Sequence, residues 1–84
     1  MTVKDLNLTE EQAEQACFLL NYRSPVVLND ARHWGRPNLH EFSVDELKAS
    51  LAYDDTLTAE HAHLKKTGYG ERIQSELRTI LEAA

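Results

Sequence analysis

The chain has a single cysteine, Cys17, so no disulfide can form within it. Its longest unbroken apolar run is Ala16–Leu20, far short of the roughly 20 residues that cross a bilayer. The sequence does not open on a basic stretch followed by an apolar segment, so no secretory signal is read there. These absences point to a cytoplasmic protein with no membrane partner. Cations are scarce too: 9 Lys and Arg stand against 14 Asp and Glu, a formal net charge of -5. Affinity for nucleic acid comes mainly from cations that neutralise phosphates, so this balance argues against wholesale nucleic-acid binding.

The constellations that carry chemistry are also missing. Four histidines (His33, His40, His61, His63) and Cys17 invite a metal reading, but a closed zinc site wants Cys or His ligands in C-x-x-C or H-x-x-x-H pairs. His61 and His63 are two apart, which on a helix turns them roughly 160–200° away from each other. No metal and no cofactor are therefore expected. A catalytic thiol should be partly exposed in an electropositive setting. Cys17 falls instead on the apolar stripe of an acidic helix, where a thiol behaves as a small hydrophobe. Gly68-Tyr69-Gly70 lacks the flanking strand and later glycine of a phosphate loop. Asp54-Asp55 reads as a helix stop rather than an acid–base pair. A chain this short also has little room for a substrate pocket of about 300 Å³ or more. The expectation is a protein that is not an enzyme.

What is present is enough for a fold. Residues 1–84 make one domain, and 42% hydrophobic with 27% charged residues is a globular balance. A chain of this length buries only about 60–65% of its unfolded surface. The core is therefore thin, and a partner or a second copy can add stability.

Local signals are helical throughout. Thr9 and Gln12 form a capping box, and Ala13, Ala16, Cys17 and Leu20 follow at the spacing of one buried stripe, which predicts a helix over 10–22. Ser24-Pro25 reads as an N-cap with proline at the first helical position, and Gly35 as its stop. Val27, Ala31 and Trp34 fit that helix, while Val26–Leu28 also fits a short strand. Ser43 and Glu46 form a second capping box, with Phe42 and Leu47 placed as a hydrophobic staple. Val44, Leu47 and Leu51 mark one face of a helix expected to end near Tyr53. A weaker helix is expected from Thr56 or Thr58 to Lys66, with Gly68 in a left-handed position after it. A final helix after Gly70 carries Ile73, Leu77, Ile80 and Ala84 on one stripe. The sum is an all-α fold, a compact bundle of four to five short helices.

The acidity is segmental. Residues 1–14 and 45–60 are acidic, and between them, across residues 23–36, Arg23, Arg32 and Arg36 face only Asp30. The basic stretch surrounds the only tryptophan, in Arg32-His33-Trp34-Gly35-Arg36. Trp and Arg are the residues most enriched at binding hot spots. Arg23, Arg32, His33, Trp34 and Arg36 are therefore the candidate partner-binding residues, bordered by Tyr22, His40 and Glu41.

One stretch carries a resemblance. Lys66-Thr67-Gly68-Tyr69-Gly70-Glu71-Arg72-Ile73 and the following Leu77-Arg78 resemble the turn and second helix of some ribbon-helix-helix antitoxins. That likeness implies a dimer whose two strands form a ribbon in the DNA major groove, and an acidic antitoxin that masks a toxin. The likeness is confined to this C-terminal stretch. The ribbon would lie just upstream, where the chain has Leu51-Ala52-Tyr53-Asp54-Asp55-Thr56-Leu57. Asp54 and Asp55 repel phosphate and depart from the family pattern.

Two functions follow from these readings. The first is a non-catalytic protein-binding module, a small inhibitor or regulator of the phage anti-host, immunity or antitoxin kind, which masks a surface of another protein. The second is a dimeric DNA-binding regulator of ribbon-helix-helix type, the only reading in which the partners include DNA and a homodimer is required.

Overall fold

A computed structural model describes residues 1–23 and 39–84. The helix or strand expected within 24–38 lies outside the described residues. Those described hold three α-helices: α1 (Glu10–Tyr22), α2 (Val44–Glu60) and α3 (Tyr69–Ala83). Short 3-10 turns at Val3–Leu6, Leu39–Glu41 and Ala62–Leu64 complete them, and among the described residues no strand occurs.

Both capping boxes form. Thr9 Oγ1 accepts from the Gln12 amide at 3.2 Å while Gln12 Oε1 accepts from the Thr9 amide at 3.1 Å. Ser43 and Glu46 make the same exchange at 3.1 Å in each direction. Each pair satisfies two amides, one at the cap and one at N3, that the helix itself leaves unpaired at its start. Phe42 and Leu47 are both fully buried, as the staple requires.

The N-terminus is pinned to the start of α2. Thr2 and Ser43 form an isolated antiparallel bridge, in which Val3 N–H donates to Phe42 O at 2.9 Å and Val44 N–H to Met1 O at 3.3 Å. Asp5 Oδ2 accepts from the Thr2 amide at 2.8 Å and from its hydroxyl at 3.2 Å. Those bonds, the backbone one first, hold the Asp5 carboxyl below its usual range. This clamp seats Val3 in the core, fully buried.

α1 packs against both α2 and α3. The core joins Val3, Ala16, Leu19, Leu20, Phe42, Val44, Leu47, Leu51, Leu77 and Leu81. Val44, Leu47 and Leu51 are buried as their spacing predicts, but the other two stripes are rotated. On α1 the buried residues are Ala16, Leu19 and Leu20, and Cys17 is only half-buried. Leu19 carries more apolar surface than a thiol, so turning it inward gains more. On α3 the buried residues are Ile73, Gln74, Leu77 and Leu81, with Ala84 exposed.

Among the described residues the expected helices need correction. α2 does not end at Asp54-Asp55 but continues to Glu60, absorbing the start of the expected weaker helix. Of that helix only the 3-10 turn Ala62–Leu64 forms. Aspartates stop helices when their side chains compete for local backbone groups; here both are drawn to arginines on other helices. Gly68 has a positive φ of 58°, but its ψ of -123° lies outside the left-handed helical region expected of it, and it serves as the N-cap of α3.

Among the described residues Phe42 is the largest fully buried side chain. Phe42→Ala is expected to lower unfolding stability by about 3–5 kcal/mol, measured by urea denaturation. The whole stability of such a domain is about 4–12 kcal/mol, so the variant should lose a quarter of it or more.

Candidate functional site

Of the five partner-binding candidates, Arg32, His33, Trp34 and Arg36 lie outside the described residues, and Arg23 alone is placed. Arg23 closes α1, its N–H bonded to Leu19 O, and its side chain turns inward. Its Nε lies 2.9 Å from Asp54 Oδ1, with the two side chains 15% and 5% exposed. A second bond runs to Tyr22 O at 3.1 Å, and the guanidinium lies 5.1 Å from the centre of the Phe18 ring. Lys66 Nζ sits over the same ring at 4.1 Å. Arg23 thus ties the end of α1 to the middle of α2.

Asp55 makes the matching tie to α3. Arg78 grips its carboxylate with both terminal nitrogens, one at 2.8 Å. The hydrogen bond to Asp55 raises the Arg78 pKa above its ordinary value, against a smaller opposing effect of burial. Neighbouring residues of a helix point about 100° apart, so one aspartate reaches α1 and the next reaches α3.

The seam between α1 and α3 holds a different group. Glu76 Oε1 accepts from Gln12 Nε2 at 3.1 Å, and its Oε2 from Arg72 at 2.9 Å. The Arg72 guanidinium lies 5.1 Å from the centre of the Tyr69 ring. Tyr69 is 56% exposed. Desolvation and then the charge of Glu11 push its phenol above the usual range, with Glu14 adding and Arg72 opposing. Glu10, Glu11 and Glu14 are all exposed. The result is an exposed tyrosine that keeps its proton, set among carboxylates of another helix. Such a face suits a cationic surface rich in hydrogen-bond donors.

A polar hollow of about 270 Å³ lies where the end of α2 meets α3, lined among others by Asp54, Asp55, Lys65, Lys66, Gln74 and Arg78. On the far side of the Asp55–Arg78 bridge a shallower hollow of about 340 Å³ is lined by Leu51, Ala52 and Leu81 among others.

His61 and His63 do not point apart as helical geometry requires. Their rings meet edge to face at 5.9 Å, because α2 ends at Glu60 and His63 lies in the following 3-10 turn. Among the described residues no group of three or more His, Cys, Asp or Glu could hold a metal ion, and no helix is long and apolar enough to cross a membrane. Comparison with protein-family models, curated proteins and solved structures finds no match.

The three ties between helices are not legible in the sequence. Their partners are separated by 23 to 64 residues, and no local pattern links such positions. The one signal was the pairing of an acidic first helix with an Arg-bearing last helix.

The Arg23–Asp54 pair gives a direct test of these ties. Asp54→Leu leaves a nearly buried guanidinium without its carboxylate and is expected to lose about 3–5 kcal/mol, whereas adding Arg23→Met to it should recover most of that loss. Chemical denaturation of the wild type, both singles and the double gives the coupling. Losses that simply add would show that the pair is not coupled.

Proposed function

We propose that this chain is a non-catalytic protein-binding module, a small inhibitor or regulator that masks a basic surface of another protein. The observation that carries the reading is Tyr69, 56% exposed and set beside Glu11, with Glu14 close enough to act on its phenol, both glutamates being exposed on α1. Tyrosine supplies a large contact area with a polar tip, and such residues dominate binding energy when a partner covers them. The surrounding carboxylates steer a basic partner and reject acidic ones. The net charge of -5 acts in the same direction. The basic stretch around Trp34, with Arg32, His33 and Arg36, remains a second contact within this proposal. Arg23 contributes by holding the end of α1.

This reading is preferred to a ribbon-helix-helix DNA-binding regulator on one ground. Residues 51–57, where the ribbon would lie, are inside α2, and their carboxylates are engaged by Arg23 and Arg78.

Affinity capture from extract of the native host, with mass spectrometry to identify the bound protein, supplies the partner for the test. Binding is then measured with wild type, Tyr69→Ala and Glu11→Gln. Tyr69→Ala is expected to weaken the complex about thirtyfold, and added salt to weaken it further. Unchanged affinity in Tyr69→Ala, or retardation of DNA by the wild type with a steep salt slope, would overturn the proposal.

A further inference from the structure

We infer that the shallower hollow, the groove between α2 and the end of α3, is the seat of a second copy of this chain, packed there with two-fold symmetry. The groove measures about 340 Å³, and the Asp55–Arg78 bridge closes one end of it. From that bridge the lining runs back along α2 to Lys48 and forward along α3 to Glu82. The two helices are therefore antiparallel across the groove, with Lys48 and Glu82 toward its other end and Leu51, Ala52 and Leu81 between.

The charges favour a copy of the chain over other occupants. Two cations and two anions line the groove, so this face is neutral in a chain of net charge -5. Copies of such a chain repel one another over the rest of their surface, and a neutral face is where they can meet. The order of the signs goes further. α2 presents a cation toward one end and an anion toward the other, and α3 presents the reverse. A two-fold axis laid along the groove turns α2 of one copy onto α3 of the other. Lys48 of each copy then faces Glu82 of the other, and Asp55 faces Arg78. An axis laid across the groove instead sets Lys48 against Asp55 and Glu82 against Arg78. Either way unlike charges meet, which is the self-complementarity that an isologous interface requires.

These groups are open to a neighbour. Lys48 and Glu82 are exposed, and among the described residues neither forms an ion pair. The Asp55 and Arg78 side chains are 55% and 37% exposed. The apolar floor is small, because Leu51 and Leu81 are already covered within the chain and Ala52 alone is exposed. The dimer is accordingly a weak one, set by charge more than by area. At 3.6 residues per turn Arg78 and Glu82 lie on the opposite flank of α3 from Tyr69, Arg72 and Glu76. The dimer thus leaves the acidic face free, and its failure would leave the protein-binding proposal standing.

Sedimentation equilibrium of the full chain at low salt, from about 10 μM to 1 mM, tests the assignment over the range of a weak complex. The mass is expected to rise with concentration from the 9.6 kDa of one chain toward double. Lys48→Glu should weaken association about tenfold or more, by setting like charges face to face. Glu82→Lys brings the net charge nearer zero and so lowers general repulsion, yet it should weaken association by a similar factor. Lys65→Glu makes the same charge change as Lys48→Glu at an exposed residue outside the groove and should have a much smaller effect. A single-chain mass throughout, association by Glu82→Lys as tight as in the wild type or tighter, or equal weakening by Lys48→Glu and Lys65→Glu would overturn the assignment.

Discussion

Two neighbouring carboxylates on α2 set how the other helices are arranged. Asp54 holds Arg23 at the end of α1, and Asp55 holds Arg78 in the middle of α3. The first pair is nearly buried, so each member depends on the other to offset its lost hydration. The second is half-exposed and contributes less to stability, but its two-pronged geometry fixes the register of α3 against α2. With both side chains occupied, neither aspartate is left to break α2, and the helix runs on to Glu60. The hollow at its far end exists because α2 is that long.

Those ties also explain where polar groups gather on α3. Its buried stripe of Ile73, Leu77 and Leu81 is flanked by one polar seam toward α1 and another toward α2. The first carries Tyr69, Arg72 and Glu76 and meets Gln12. The second carries Gln74 and Arg78 and meets Asp55. An 84-residue chain has a thin core, and polar seams along its edges specify helix pairing where apolar area alone cannot. The same seams leave an exposed tyrosine on one side and an unmet amide on the other. The proposed function rests on the exposed tyrosine.

Local chemistry was legible in the sequence, and long-range pairing was not. Thr9 with Gln12 and Ser43 with Glu46 are three residues apart, so the boxes that start α1 and α2 could be read directly. Gly68 was legible for its positive φ, though its role is to begin α3 rather than to follow a separate helix. Asp54-Asp55 reads as a stop because aspartate usually competes with the backbone. Only Arg23, 31 residues away, and Arg78, 23 residues away, reverse that preference. The rotated stripes of α1 and α3 have a similar origin. Ala13, Cys17 and Ile80 satisfy helical spacing as well as the residues actually buried, and packing between helices decides among them. For the site, the sequence marks Arg23 as a partner-binding candidate of the basic stretch around Trp34, whereas its side chain pairs with Asp54 and lies by the Phe18 ring.

The continuity of α2 through Asp54-Asp55 is the most exposed part of this account, and amide hydrogen exchange across the helix tests it directly. Amides from Asp55 to Glu60 are expected to be protected in the wild type, and those at the end of this stretch to lose protection in Arg78→Met while Leu47 and Leu51 keep theirs. Fast exchange from Asp55 onward in the wild type, or protection that Arg78→Met leaves untouched, would contradict the claim that the paired carboxylates carry the helix past its expected stop.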